Sequence, residues 1–382
     1  MGKSSKKKSI ERGISSDIAL KMLNDALGDL LNDDELFLGI RNGYCNLYYH
    51  CDSIGKIEFR TRPKGLAIKT HKEYLPDKYK NAKDYVVFLS TNTKDSAFSV
   101  AEFCRLAKRG GDIRKIIDGK RDKEGNGSDS KPEKTAQQKL VLDNNSSGAE
   151  WFCVDLEYVQ ERLNSKEHNF GRFDILAIKK SCGHDGKHPV AIIELKVGAG
   201  AYGGAKNVTE FKEKGKNIKT FSGSLGSGLL GHFSDFYRFQ HWDDGKRFEQ
   251  LKRELCNILG NKIALGLSIP SELHGLQPED LNGTPEFYFL TLCTENHKLG
   301  HCKKSFKKYI NNCPCGKEKA STNNVTKVFA GQLMKDRPDI FDNYHFLFSK
   351  DVWNSEVTIT DILSPEFFEE IDHSELFLPR QE

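Results

Sequence analysis

The chain has 382 residues, 37% hydrophobic and 29% charged, a balance that excludes a fibrous or wholly disordered protein and leaves room for two domains. With 58 Lys and Arg against 54 Asp and Glu the formal charge is only +4, so any site for a polyanion has to be local rather than a property of the whole surface. No run approaches the roughly 18 apolar residues of a membrane span, and MGKSSKKKSIERGI has basic residues with no apolar stretch behind them; a cytoplasmic protein with no membrane partner is expected.

Residues 1–13 read as a basic flexible tail. SSDIALKMLNDALGDLL then places apolar residues at helical spacing behind a Ser/Asp cap signal. The period changes to short β-type runs, ELFLGIRN, GYCNLYYHC, KIEFRT and GLAIKT, separated by Asn-Gly, Ser-Ile-Gly and Pro-Lys-Gly turns, which predicts an antiparallel meander. SVAEFCRLAKRGGDIRKIID resumes a helical pattern to about position 118, so residues 14–118 form an α+β unit that recognises a target or regulates. Its Arg41, Tyr44, Tyr48, Tyr49, Arg60, Arg62 and Lys64, expected to be exposed, suit either DNA or a partner protein.

Residues 119–130 are rich in Gly, Ser and charge and read as a linker. A second unit, 131–382, opens on the helix KPEKTAQQKLVLDN, with Pro at its first position. WFCVDLEYV, FDILAIKK and PVAIIELKVG follow as adjacent antiparallel strands, then the Gly-rich stretches GAGAYGG and SGSLGSG, which lack the glycine-lysine spacing of a nucleotide loop. The helix HFSDFYRFQHW continues toward FEQLKRELCNIL, and KIALGLSIP, EFYFLTLC and NYHFLFS read as core strands. The fold class is α+β or α/β, a mixed sheet flanked by helices behind an N-terminal α+β domain. Ten scattered cysteines fit a reducing compartment. Two clusters have zinc-ligand types without regular pairing: Cys182, His184 and His188 at a hairpin tip, and His301, Cys302, Cys313 and Cys315 in a basic stretch otherwise read as a loop.

One arrangement carries chemistry. Glu194 and Lys196 are two apart on an apolar strand and therefore share a face. If Asp174 sits on the neighbouring strand, two acids and an amine meet at one point, and burying them demands a metal or mutual pairing. Two carboxylates with open positions suit Mg2+ or Mn2+, and an ammonium beside them offsets charge developing on a phosphate.

This pattern, D-x(19)-E-x-K across an apolar hairpin, resembles the PD-(D/E)-X-K (restriction-endonuclease-like) nuclease superfamily over roughly residues 131–258, about a third of the chain; Phe173 stands where that motif has Pro. The resemblance implies metal-binding acids at Asp174 and Glu194 and the catalytic lysine at Lys196. A further acid on the preceding helix is implied as well, with Glu133 the best placed and Asp155 and Glu157 its competitors. Glu157, His232, Asp235 and Gln240 are possible lining residues, and Lys206, Lys212, Lys216 and Lys219 possible phosphate contacts. The function implied is Mg2+-dependent hydrolysis of DNA phosphodiesters in restriction or anti-phage defence, alone, as a homodimer or with a partner defence protein. RNA is an open alternative substrate, and a non-catalytic binding or sensor module on the same fold is the rival reading.

Overall fold

The computed structural model of the chain describes residues 11–62, 64–91, 96–123, 128–129, 131–145, 148–159, 173–202, 208–213, 216–221, 232, 236, 239–240, 245–311 and 342–376. The first ten tail residues, linker residues 124–127 and 130, Gly203 and Gly204 of GAGAYGG, all of SGSLGSG, Lys206, Asp235, Cys313 and Cys315 lie outside them.

Helix α1 (Asp17–Leu31) starts where the Ser16 side chain accepts the Ala19 N–H, and it buries Leu20, Leu23, Leu27, Leu30 and Leu31 along one stripe. That stripe faces a five-stranded antiparallel meander in sequence order: β1 (Phe37–Ile40), β2 (Tyr44–Tyr49), β3 (Asp52–Thr61), β4 (Lys64–His71) and β5 (Tyr85–Leu89). β5 was not expected; its YVVFL turns Val86 and Phe88 inward, too short an alternation to stand out from the turns around it. The β2–β3 turn also differs from expectation. It lies at His50–Cys51, both in the left-handed region with φ of 51° and 58°, as a two-residue hairpin loop requires. Ser53-Ile54-Gly55 runs inside β3 instead, where a Cβ on Gly55 would stand 2.8 Å from the Phe103 ring.

The single helical pattern expected to about position 118 is two helices, α2 (Val100–Ala107) and α3 (Asp112–Arg121). Gly110 breaks it at φ 71°, and the chain at Gly111 folds so closely on itself that a Cβ there would lie 2.3 Å from the Leu106 carbonyl oxygen. Arg121 in the last turn of α3 is buried and donates to Thr135 Oγ1 (2.7 Å), so residues 119–121 of the predicted linker belong to a helix. A short hairpin, β6 (Asp122–Lys123) with β7 (Ser128–Asp129), follows.

The second sheet carries the candidate site. Helix α4 (Pro132–Asn144) precedes β8 (Trp151–Tyr158), β9 (Phe173–Lys179) and β10 (Val190–Val197), which pair antiparallel as expected. After the hairpin β11 (Val208–Glu213) and β12 (Lys216–Phe221) comes helix α5 (Lys246–Ala264). β13 (Glu286–Cys293) then joins parallel to β10, β14 (Tyr344–Val352) parallel to β13, and β15 (Phe368–Glu370) antiparallel at the edge, in the order β15-β14-β13-β10-β9-β8. Helices α6 (Leu299–Asn311) and α7 (His373–Leu376) complete the described α-helices. The result is a mixed α+β protein with two principal sheets.

Period-two alternation splits the core of the second sheet. Ile175, Ala177, Ala191, Ile193 and Leu195 face α4 through Ala136, Leu140 and Val141. Leu176, Ile178, Val190 and Ile192 belong to the opposite cluster with Leu251, Leu255 and Ile258 of α5 and the core of the N-terminal unit. Two segments correct the sequence reading. KIALGLSIP is not a strand: its start is the last turn of α5, closed by Gly266 (φ 74°), with Gly266 N–H donating to Ile263 O and Leu267 N–H to Lys262 O. The basic stretch around Lys303 is helix rather than loop, because Cys302, Phe306 and Ile310 recur on one buried face.

The N-terminal unit grips this sheet through charges expected to be exposed. Arg41, Tyr48 and Tyr49 are buried. Arg41 Nη1 lies 2.8 Å from Asp155 of β8, and Arg12, in the predicted tail, donates to the same carboxylate and to Val159 O at 2.9 Å. Asp155 is thereby a structural counter-ion and not a competitor for the site. Among the described residues no helix is long and apolar enough to cross a membrane.

Candidate active site

The β9–β10 ladder pairs Ile175 with Ile193 and carries the two strands to Asp174 and Glu194, the next position on each. There the Asp174 side chain takes over from the backbone, its Oδ2 accepting the Leu195 N–H at 2.9 Å. Gln137 of α4 donates to the Asp174 carbonyl (2.6 Å) and more distantly to Oδ1 (3.4 Å), fastening the helix to the strand end. Lys196 donates to Glu194 Oε1 (2.6 Å), Leu195 O (2.9 Å) and Glu133 Oε1 (3.4 Å). His232 Nε2 lies 2.8 Å from the same Glu194 oxygen. The four residues expected to meet, Asp174, Glu194, Lys196 and Glu133, are thus brought together, with Glu133 at the solvent side and Glu194 1% exposed.

Electrostatics follow from burial. Asp174 is held well above the ordinary carboxylate range, first by desolvation and then by the Glu194 charge. Glu194 is pushed up to about 7, again chiefly by burial, with Lys196 opposing. Burial by itself lowers Lys196, but Glu194, Asp174 and Glu133 together outweigh it and keep the ammonium charged. Two acids that resist ionising side by side beside a lysine that does not resist it form a strongly polarised buried cluster.

The other candidates divide. Glu157 sits on β8 at left-handed φ (49°), one residue from the Leu156↔Ile175 pair, and approaches Lys134 at 3.8 Å rather than Lys196. Gln240 Nε2 reaches Asn343 Oδ1 at 3.4 Å, at the start of β14 and away from the carboxylates. Lys212, Lys216 and Lys219 stand on β11–β12, their backbones opposite Asn217, Glu213 and Glu210. Of the zinc candidates, Cys182 Sγ meets His188 Nε2 at 3.5 Å, and Cys302 is buried on α6 while its neighbour His301 is exposed. Sequence reasoning missed Gln137, one turn beyond Glu133 on the same helix face, a spacing that would have found it. It also missed that Gln138 and Lys131, on the other side of α4, hold the β2–β3 turn: Gln138 Oε1 accepts the Cys51 N–H (2.6 Å) and Lys131 Nζ lies 3.3 Å from Asp52.

A divalent cation can be tested against these atoms. Glu194 Oε2 is buried and accepts no hydrogen bond from a fixed donor, a cost that a proton shared with the Asp174 carboxyl or a cation lying against it relieves. Among the described residues no three His, Cys, Asp or Glu side chains are grouped so as to hold a metal ion by themselves. Two carboxylates with one oxygen unclaimed fit an open site of the kind Mg2+ favours, completed by water and phosphate oxygens. The chain matches no protein-family model, no curated protein and no solved structure.

Proposed function

We propose that the chain is a metal-dependent nuclease of restriction-endonuclease-like type that hydrolyses DNA phosphodiester bonds. The observation that carries the reading is the orphaned, buried Oε2 of Glu194 beside the reluctant acid Asp174, at a strand end where Lys196 is charged. Asp174 and Glu194 would hold Mg2+ or Mn2+, which when bound supplies Lewis-acid polarisation of a phosphate and a more acidic water. Lys196 stands ready to offset negative charge on the attacked phosphate. Glu133 reaches Lys196 from the preceding helix, as the resemblance implies, and this favours catalysis over the binding-only alternative. The setting we propose is cytoplasmic restriction or anti-phage defence, with the chain alone, dimeric or joined to a partner defence protein; the β11–β12 lysines are proposed to follow the nucleic-acid backbone.

The test is Mg2+-dependent cleavage of plasmid, linear and single-stranded DNA and of RNA. Lys196→Ala is expected to lose on the order of a hundredfold or more in rate. Equal cutting by the variant, or no cutting of any substrate by the wild-type chain, refutes the catalytic reading; RNA cut in preference to DNA corrects the substrate.

A further inference from the structure

Glu194 binds unequally through its two oxygens. Oε1 faces both Lys196 Nζ at 2.6 Å and His232 Nε2 at 2.8 Å, while Oε2 accepts no hydrogen bond from a fixed donor. We propose that His232 is a positioning residue that, with Lys196, clamps Oε1 and so turns Oε2 toward the bound cation. The inference rests on the metal-centre reading above and adds a residue on the segment beyond the site strand to it.

The physical argument is rotational. The terminal torsion of a glutamate is broad, so one donor leaves the carboxylate plane poorly fixed. Lys196 is also spread over three acceptors, Glu194, Leu195 O and Glu133, and its ammonium imposes no plane of its own. A second donor arriving on the same oxygen from a residue outside β10 fixes that plane. His232 is suited to this because its side chain is only 12% exposed and its ring is rigid. With Glu194 1% exposed, bulk solvent does not compete with either donor in the intact chain. Partners of this kind, which touch the ligand and not the ion, typically change metal affinity 10- to 100-fold.

The experiment uses the full chain without nucleic acid and measures Mn2+ affinity by the electron paramagnetic resonance signal of free Mn2+, for wild type, His232→Ala and His232→Gln. Gln places an amide N–H near the position of Nε2. His232→Ala is expected to bind Mn2+ about tenfold or more weakly, and His232→Gln to recover most of the loss, while thermal unfolding in EDTA confirms that both variants are folded. Wild-type affinity in His232→Ala, or a Gln variant as weak as Ala, overturns the positioning role while leaving the metal centre standing. A wild-type chain that binds no Mn2+ overturns both.

Discussion

Asp174→Asn should inactivate the protein and yet stabilise its metal-free form at neutral pH. Asn retains an oxygen to accept the Leu195 N–H, so the strand end keeps its shape, while the buried carboxyl that resists ionising is gone. The size follows from linkage. A group whose folded pKa lies above its unfolded one binds extra protons in the folded state over the intervening window, so stability is full below that window and falls as pH rises through it. For Glu194 the window runs from its ordinary 4.5 to about 7, and the cost on crossing it is on the order of 3 kcal/mol. Asp174, raised well above 3.8 by burial and by Glu194, adds a second loss of the same sign. Urea unfolding in EDTA at a series of pH values should therefore show the variant drawing ahead of wild type as pH rises, by about 1.4 kcal/mol per unit. Adding Mg2+ should restore wild type and leave the variant unchanged. A variant that is less stable by the same amount at every pH would refute the reasoning, because it would mean that lost hydrogen bonding, and not charge, governs the site.

Two further outcomes concern the contact between the N-terminal unit and the second sheet. Lys262, buried beside Arg41, donates to Val154 O at 2.8 Å, and burial lowers its pKa from 10.5 to about 8 despite Asp155. The penalty is complete below pH 8 and fades toward 10.5, so Lys262→Met should raise stability at pH 7 by roughly 2 kcal/mol after the lost hydrogen bond, with the gain shrinking on titration to alkaline pH in the same urea assay. Asp155→Ala does the opposite: it leaves the Arg12 and Arg41 guanidiniums buried without their counter-ion and should cost about 3–5 kcal/mol, read as a lower urea midpoint.

Much of the site was legible because strand alternation is local. Glu194 and Lys196 had to share a face once PVAIIELKVG was a strand, the hairpin length made Asp174 their natural neighbour, and KPEKTAQQKL placed Glu133 at a helix start. The errors arose where a local signal has two meanings. KIALGLSIP has the apolar density of a strand, but Gly266 closes a Schellman turn and the run ends a helix. Arg41 and Tyr48 look like an exposed recognition surface until a second sheet supplies Asp155 to cover them.

Length, composition and charge left room for two units and for a local rather than global polyanion site, and the chain's own periodicities determined most helices and strands and the face on which the acids stand. Tertiary structure decided the rest. It set which oxygen of Glu194 is occupied, brought His232 and Gln137 to the carboxylates, and made Asp155 a counter-ion instead of a third acid. The physical reason is that side-chain direction along one element follows from a fixed period, whereas partners 37 to 143 residues apart in sequence meet only after the chain has closed around them.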